Sequence, residues 1–164
     1  MRLGPGLLYE GRTLQGARPK LADFCSATMA EFYSAVDSRA ADVISTVTAS
    51  TGPIIQGHWL KPGSHLDLIG AFKGDMRESD DQAITQAELF VDLRAGASLA
   101  GDLAQPLDAG QITPGHIRAD LAELCQRAHP GRRDDTARTV FKSAGMALQD
   151  LAAANLARDH AISG

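Results

Sequence analysis

Apolar residues along this chain repeat with two spacings, and the alternation between them predicts an α/β fold. Residues 41–48, ADVISTVT, are β-branched and apolar nearly throughout, the pattern of a strand buried on both faces. HLDLIGA (65–71) and LFVDL (89–93) give two further strands. RTVFKS (138–143) holds a short strand, and GLLYE (6–10) another, followed by a turn at Gly11, Arg12 and Thr13. Between the strands the spacing lengthens to that of helices. Ser79 with Gln82 three residues on reads as a capping box, and AGASLAGDL (95–103) as helical. Thr113 and Pro114 read as N-cap and first-turn proline of a helix through GHIRADLAELCQRA, with Ile117, Leu121 and Leu124 on one face. Ser143 is expected to cap a last, alanine-rich helix whose Met146, Leu151 and Leu156 are too irregularly spaced for a coiled-coil seam. Nearer the start, 17–25 reads as a helix, 27–31 as a short strand and 34–39 as a helical turn. Strands alternating with helices predict a three-layer, Rossmann-like domain around a mostly parallel sheet.

The polar stretches punctuate this pattern. Pro62-Gly63 marks a turn, HPGRR (129–133) a solvated loop, and RESDD (77–81) a charged helix start with acids in the first turn. The 164 residues suit one domain, and 44% apolar with 22% charged residues predicts a packed core. A net charge of −4 offers no electrostatic attraction for nucleic acid. No apolar run approaches the roughly 18 residues of a membrane span, and the first residues lack the apolar core of a signal peptide. The expected location is therefore cytoplasmic. Cys25 and Cys125 have no CxxC spacing and read as reduced packing residues; the five histidines show no paired spacing, so no metal site is expected.

One motif is missing from the pattern. A dinucleotide fold opens with a strand, GxGxxG and a helix, whose N-terminus holds the pyrophosphate. Gly4-Pro5-Gly6 runs straight into Leu7, Leu8 and Tyr9, with no third glycine and no strand before it. The chain therefore reads as a doubly wound sheet entered late, without the first strand, glycine loop and first helix. Strand 1 normally lies mid-sheet. Without it, GLLYE and ADVISTVT either pair with each other or leave open edges.

ADVISTVTASTGPIIQGHWLKPGSHLDLIGAFKGDMRESDD (41–81) and VFKSAGMALQDLAAANLA (140–157) resemble the ornithine cyclodeaminase/mu-crystallin family. HLDLIGAFKGDMRESDD, with DLAQPLDAGQI and HPGRR, is most similar to the branch that reduces cyclic imino acids, the 1-pyrroline-2-carboxylate reductases. The resemblance implies an NAD or NADP cofactor, a small cyclic imino acid substrate and a homodimer in the intact family. It also implies an N-terminal substrate and dimerisation domain outside these residues, so this stretch alone is expected to be inactive. Position by position, it places Gly11, Arg12 and Thr13 at the adenosine ribose, where arginine suits a 2′-phosphate while Glu10 opposes one. It places Thr46, Val47 and Thr48 beside the cofactor, Ile69, Gly70 and Ala71 near the nicotinamide, and Lys142, Ser143 and Gly145 at its carboxamide. Ornithine-cyclising members carry an aspartate where this chain has Phe72, which favours imine reduction; Asp75 lies three residues on as a substitute acid. Two alternatives stand beside imine reduction: ornithine cyclodeamination, and an inert remnant or non-catalytic binder of cofactor or small ligand.

Overall fold

A computed structural model describes residues 38–163, together with the backbone of two short strands at 8–9 and 12–13. The helix read at 17–25, the strand at 27–31, residues 34–37 and Gly11 lie outside the described residues. Strand β1 (Leu8–Tyr9) pairs antiparallel with β2 (Arg12–Thr13) as a separate small sheet. Arg12 and Thr13 are thus strand residues rather than the turn expected from GLLYE, because they find hydrogen-bond partners in Leu8 and Tyr9 instead of capping a parallel strand.

Five parallel strands form the main sheet. In chain order they are β3 (Val43–Thr46), β4 (His65–Leu68), β5 (Glu88–Val91), β6 (Ile117–Asp120) and β7 (Thr139–Lys142), and their spatial order is β3-β4-β7-β5-β6. The helices between and after them are α1 (Asp81–Thr85), α2 (Arg94–Ala97), α3 (Gly101–Asp108), α4 (Leu121–Cys125) and α5 (Ala147–Ser163). Parallel pairing demands a crossover between neighbours; helices lie in the connections after β4, β5 and β6, while residues 47–64 between β3 and β4 hold only a 3-10 turn at Gly57–Trp59. The predicted α/β architecture with a parallel sheet is therefore present.

The core lies on one face of this sheet. Ile44, Leu66, Leu68, Val140, Leu89 and Val91 point into it and meet Ala83 and Ile84 of α1 and Leu103 of α3. The other face is more open. Val43 and Val47 are 52% and 68% exposed, so ADVISTVT is half-buried rather than buried on both faces. The described helices that pack on the sheet meet the Ile44 and Leu66 face, and among the described residues β3 pairs only with β4. GLLYE does not pair with ADVISTVT: β1 lies close to β3 but its ladder is with β2.

Several local expectations change. Asp80, not Ser79, caps α1, its side chain accepting from the Ala83 N–H at 2.8 Å. Strand β6 occupies the middle of the stretch read as one long helix. Ile117 and Ala119 are buried while Arg118 is exposed, a period-2 pattern, and Asp120 with Glu123 forms a capping box that starts α4 only at Leu121. Cys125 is exposed rather than packed. The HPGRR loop is anchored, not merely solvated: Arg132 donates to the Gly63 carbonyl and to Thr139 Oγ1, and Arg133 pairs with the buried Glu88. With His65, Phe90 and Phe141 this loop borders a cleft of about 230 Å³ on the open face.

Two outcomes follow. Leu66→Ala empties a fully buried site and should cost about 2–5 kcal/mol in urea unfolding, whereas Val47→Ala should stay within about 0.5 kcal/mol. His65 is held below its ordinary value of 6.5, chiefly by burial and further by Arg132, against the pull of Asp67. Below that value the unfolded chain binds a proton that the folded chain refuses. Stability should therefore be full above pH 6.5 and fall as pH drops below it, and His65→Gln should flatten that slope in melts across the range.

Candidate functional site

Because the five strands are parallel, all their carboxyl ends emerge at one rim, where open α/β sheets bind ligands. The hydrogen bonds there join the segments that the family resemblance implicates. The Ile69 N–H donates to the Thr46 carbonyl at 2.9 Å, and the Ala71 N–H to the Thr48 carbonyl at 3.2 Å. The Ser143 N–H donates to the Leu68 carbonyl at 3.0 Å, and the Asp92 N–H to the Lys142 carbonyl at 3.2 Å. Residues 46–48, 69–71 and 142–143 are therefore neighbours along one ledge. Gly145 follows it, with a positive φ of 83° and open space where a Cβ would stand.

Within this ledge the residues differ in role. Val47, Ile69 and Phe72 are exposed and give it an apolar surface. Thr46 is buried, its hydroxyl donating to Glu78 Oε2 at 3.0 Å, and the Thr48 N–H donates to Glu78 Oε1 at 2.5 Å. Gly70 is required from below: a Cβ there would overlap the Thr48 carbonyl and the Glu78 carboxylate. Its lack of a side chain admits the buried acid. Ala71 is fully buried with φ of 49°, a left-handed conformation that L-residues other than Asn and Asp seldom adopt. Lys142 is wholly buried and points beneath the rim. Arg12 and Thr13 stand in β2, outside the main sheet.

Three acids that organise the rim read in the sequence as ordinary. Asp92, 1% exposed, gathers the turn after β7: its Oδ2 accepts from Ser143 Oγ at 3.0 Å and from the N–H groups of Ala144 at 2.9 Å and Gly145 at 2.7 Å. Ser143 is thereby fixed to Asp92 and does not cap α5, which starts only at Ala147. The signal was present in LFVDL, where a carboxylate closes an apolar strand. Glu78 and Asp102 are fully buried, although RESDD reads as a charged helix start and GDL as the end of the helix AGASLAGDL.

Residues 19–164 match the model of the ornithine cyclodeaminase/mu-crystallin family. The chain belongs to that family. It is 43% identical over 112 residues to a Delta(1)-pyrroline-2-carboxylate reductase of Paracoccus denitrificans, covering 68% of this chain and 35% of the relative. It is 44% identical over 125 residues to the ketimine reductase mu-crystallin of Mus musculus, covering 76% of this chain and 37% of the relative. Among solved structures, the Delta(1)-pyrroline-2-carboxylate reductase of Thermococcus litoralis, in complex with NADH and L-proline, superimposes with a TM-score of 0.74 at 32% identity. That match covers 79% of this chain and 40% of the other. The chain thus spans well under half the length of these relatives. No helix among the described residues is long and apolar enough to cross a membrane.

Asp92 is the most testable part of this arrangement. Asp92→Ala leaves the Ser143 hydroxyl and the Leu93, Ala144 and Gly145 N–H groups without their acceptor. The expected loss is at least about 1–3 kcal/mol, with a smaller loss in Asp92→Asn, which keeps one acceptor oxygen. Chemical denaturation of the two variants checks the order.

Proposed function

We propose that the rim is the nicotinamide ledge of an NAD(P)H-dependent imine reductase. A protein containing this chain reduces cyclic imino acids such as 1-pyrroline-2-carboxylate, giving L-proline. The observation that carries this reading is the composition of the ledge. Its described polar backbone groups are largely committed to the protein, and Val47, Ile69 and Phe72 give it exposed apolar side chains, with the Lys73 ammonium 5.6 Å from the centroid of the Phe72 ring. Such a surface suits the flat face of a ring that asks for contact rather than hydrogen bonds. The Ser143 hydroxyl, its proton committed to Asp92, keeps lone pairs for a carboxamide N–H, and Gly145 leaves open space beside it. NADH and NADPH both satisfy this ledge, since they differ only at the adenosine ribose.

A reduced nicotinamide held there beside Val47, Ile69 and Ser143 would supply hydride to the imine carbon, the proton on nitrogen coming from water or from the substrate. The chain's own part is to orient the ring and keep water from one of its faces. Phe72, 58% exposed at the ledge, has no proton to take, where ornithine-cyclising relatives carry an aspartate by the family resemblance. This supports imine reduction over ornithine cyclodeamination. The reading agrees with the relatives named as pyrroline-2-carboxylate and ketimine reductases.

In a protein carrying this chain, 1-pyrroline-2-carboxylate should be consumed together with reduced nicotinamide, followed by the loss of its absorbance, and L-ornithine should release no ammonia. Ammonia from ornithine would replace the proposal with cyclodeamination. Phe72→Asp should lower the rate of imine reduction by roughly tenfold, a loss of about 1.4 kcal/mol in transition-state stabilisation.

A further inference from the structure

Three ionisable side chains are sealed under the ledge: Glu78, Asp102 and Lys142, each fully buried. The Lys142 ammonium lies 3.4 Å from Asp102 Oδ2 and donates a hydrogen bond to the Gly70 carbonyl. Asp102 Oδ1 accepts from the Glu78 N–H at 2.9 Å, the Ser79 N–H at 2.9 Å and the Ser79 hydroxyl at 3.1 Å. Asp102 Oδ2 accepts no hydrogen bond among the described residues, so the ammonium is its compensation. Glu78 in turn binds Thr46 and Thr48. One cation and two carboxylates therefore connect the ends of β3, β4 and β7 to the first turn of α3.

Stability does not require such a cluster. Taking ions out of water costs several kcal/mol each, and apolar replacements of whole buried clusters are often as stable or more so. What apolar side chains cannot do is fix the direction of a peptide group. The Gly70–Ala71 peptide is held at both ends: its oxygen by Lys142 below, its N–H by the Thr48 carbonyl at 3.2 Å. With the peptide so held, Ala71 sits in the left-handed region. Released, the Gly70 oxygen is free to swing toward the ledge and place an acceptor among Val47, Ile69 and Phe72.

We propose that Lys142 is a positioning residue. Through Gly70 it holds the Gly70–Ala71 peptide inward and keeps the ledge apolar, with Asp102 as its counter-charge rather than its anchor. The assignment rests on the nicotinamide reading of the ledge for its purpose, but its test does not. Amide hydrogen exchange is measured by NMR on the 164-residue chain, on Lys142→Met, and on the neutral triple variant Glu78→Gln/Asp102→Asn/Lys142→Met. The single variant leaves the buried Asp102 Oδ2 without its counter-charge and should melt earlier; the triple variant should recover most of that loss. In both, the Ala71 amide should exchange about tenfold faster relative to the core amides of Leu66 and Val140. If Ala71 and the core change by the same factor in both variants, or Ala71 keeps its relative protection in the triple variant, the positioning role is wrong. Should the triple variant fail to fold, Asp102→Asn decides. It keeps an acceptor oxygen for Glu78 and Ser79 and leaves the Lys142–Gly70 bond, so relative Ala71 protection is retained if Lys142 acts through Gly70. Protection lost as far as in Lys142→Met would overturn the assignment. NADH added to the unaltered chain is a separate measurement: absence of any shift at Ala71 counts against the ledge reading and leaves the exchange result standing.

Discussion

The common direction of the five main strands is the constraint on which the rest depends. Parallel strands deliver every carboxyl end to one side, so segments far apart in sequence, 46–48, 69–71, 92 and 142–145, meet there without a dedicated binding loop. The register matches Thr46 to Leu68, Leu68 to Lys142, and Lys142 to Val91. That alignment brings the Ser143 N–H to Leu68 and the Asp92 N–H to Lys142, and the surface above is a continuation of the ladder.

Beneath this surface the protein places acids where apolar residues would pack. Asp92 collects the turn after β7, and Glu78 collects the end of β3. Both use carboxylate oxygens as acceptors for backbone N–H groups that parallel strands leave unpaired as they part. Backbone donors are thus turned inward, away from the solvent side. The glycine at 70 belongs to the same arrangement, since any side chain there would displace the Glu78 carboxylate.

Much of this fold was legible in the sequence, because strands read as runs of Val, Ile, Leu and Phe whatever surrounds them. The ledge segments were legible too, though through family likeness rather than residue chemistry. What stayed hidden was burial of charge. Glu78 sits in a run of acids, and only the arrival of α3 and β7 from later in the chain turns it inward. Strand β6 was hidden for another reason: IRADLAEL satisfies helical spacing as well as alternation, and only the Asp120–Glu123 box marks the switch. Ser143 shows that a residue suited to capping takes whichever partner is nearer, and Asp92 reaches it first.

The flank of β3 away from β4, which no described strand pairs, carries an implication for how the surface is extended. That edge is four residues long, β1 lies close to it without pairing, and β3 supplies direction and register. Any segment that joins in the same sense inherits the orientation of its neighbours and finishes beside Thr46, so the loop after it comes to hang over Val47. The ledge can thus grow sideways by simple accretion, one crossover at a time, with no rearrangement of what already stands.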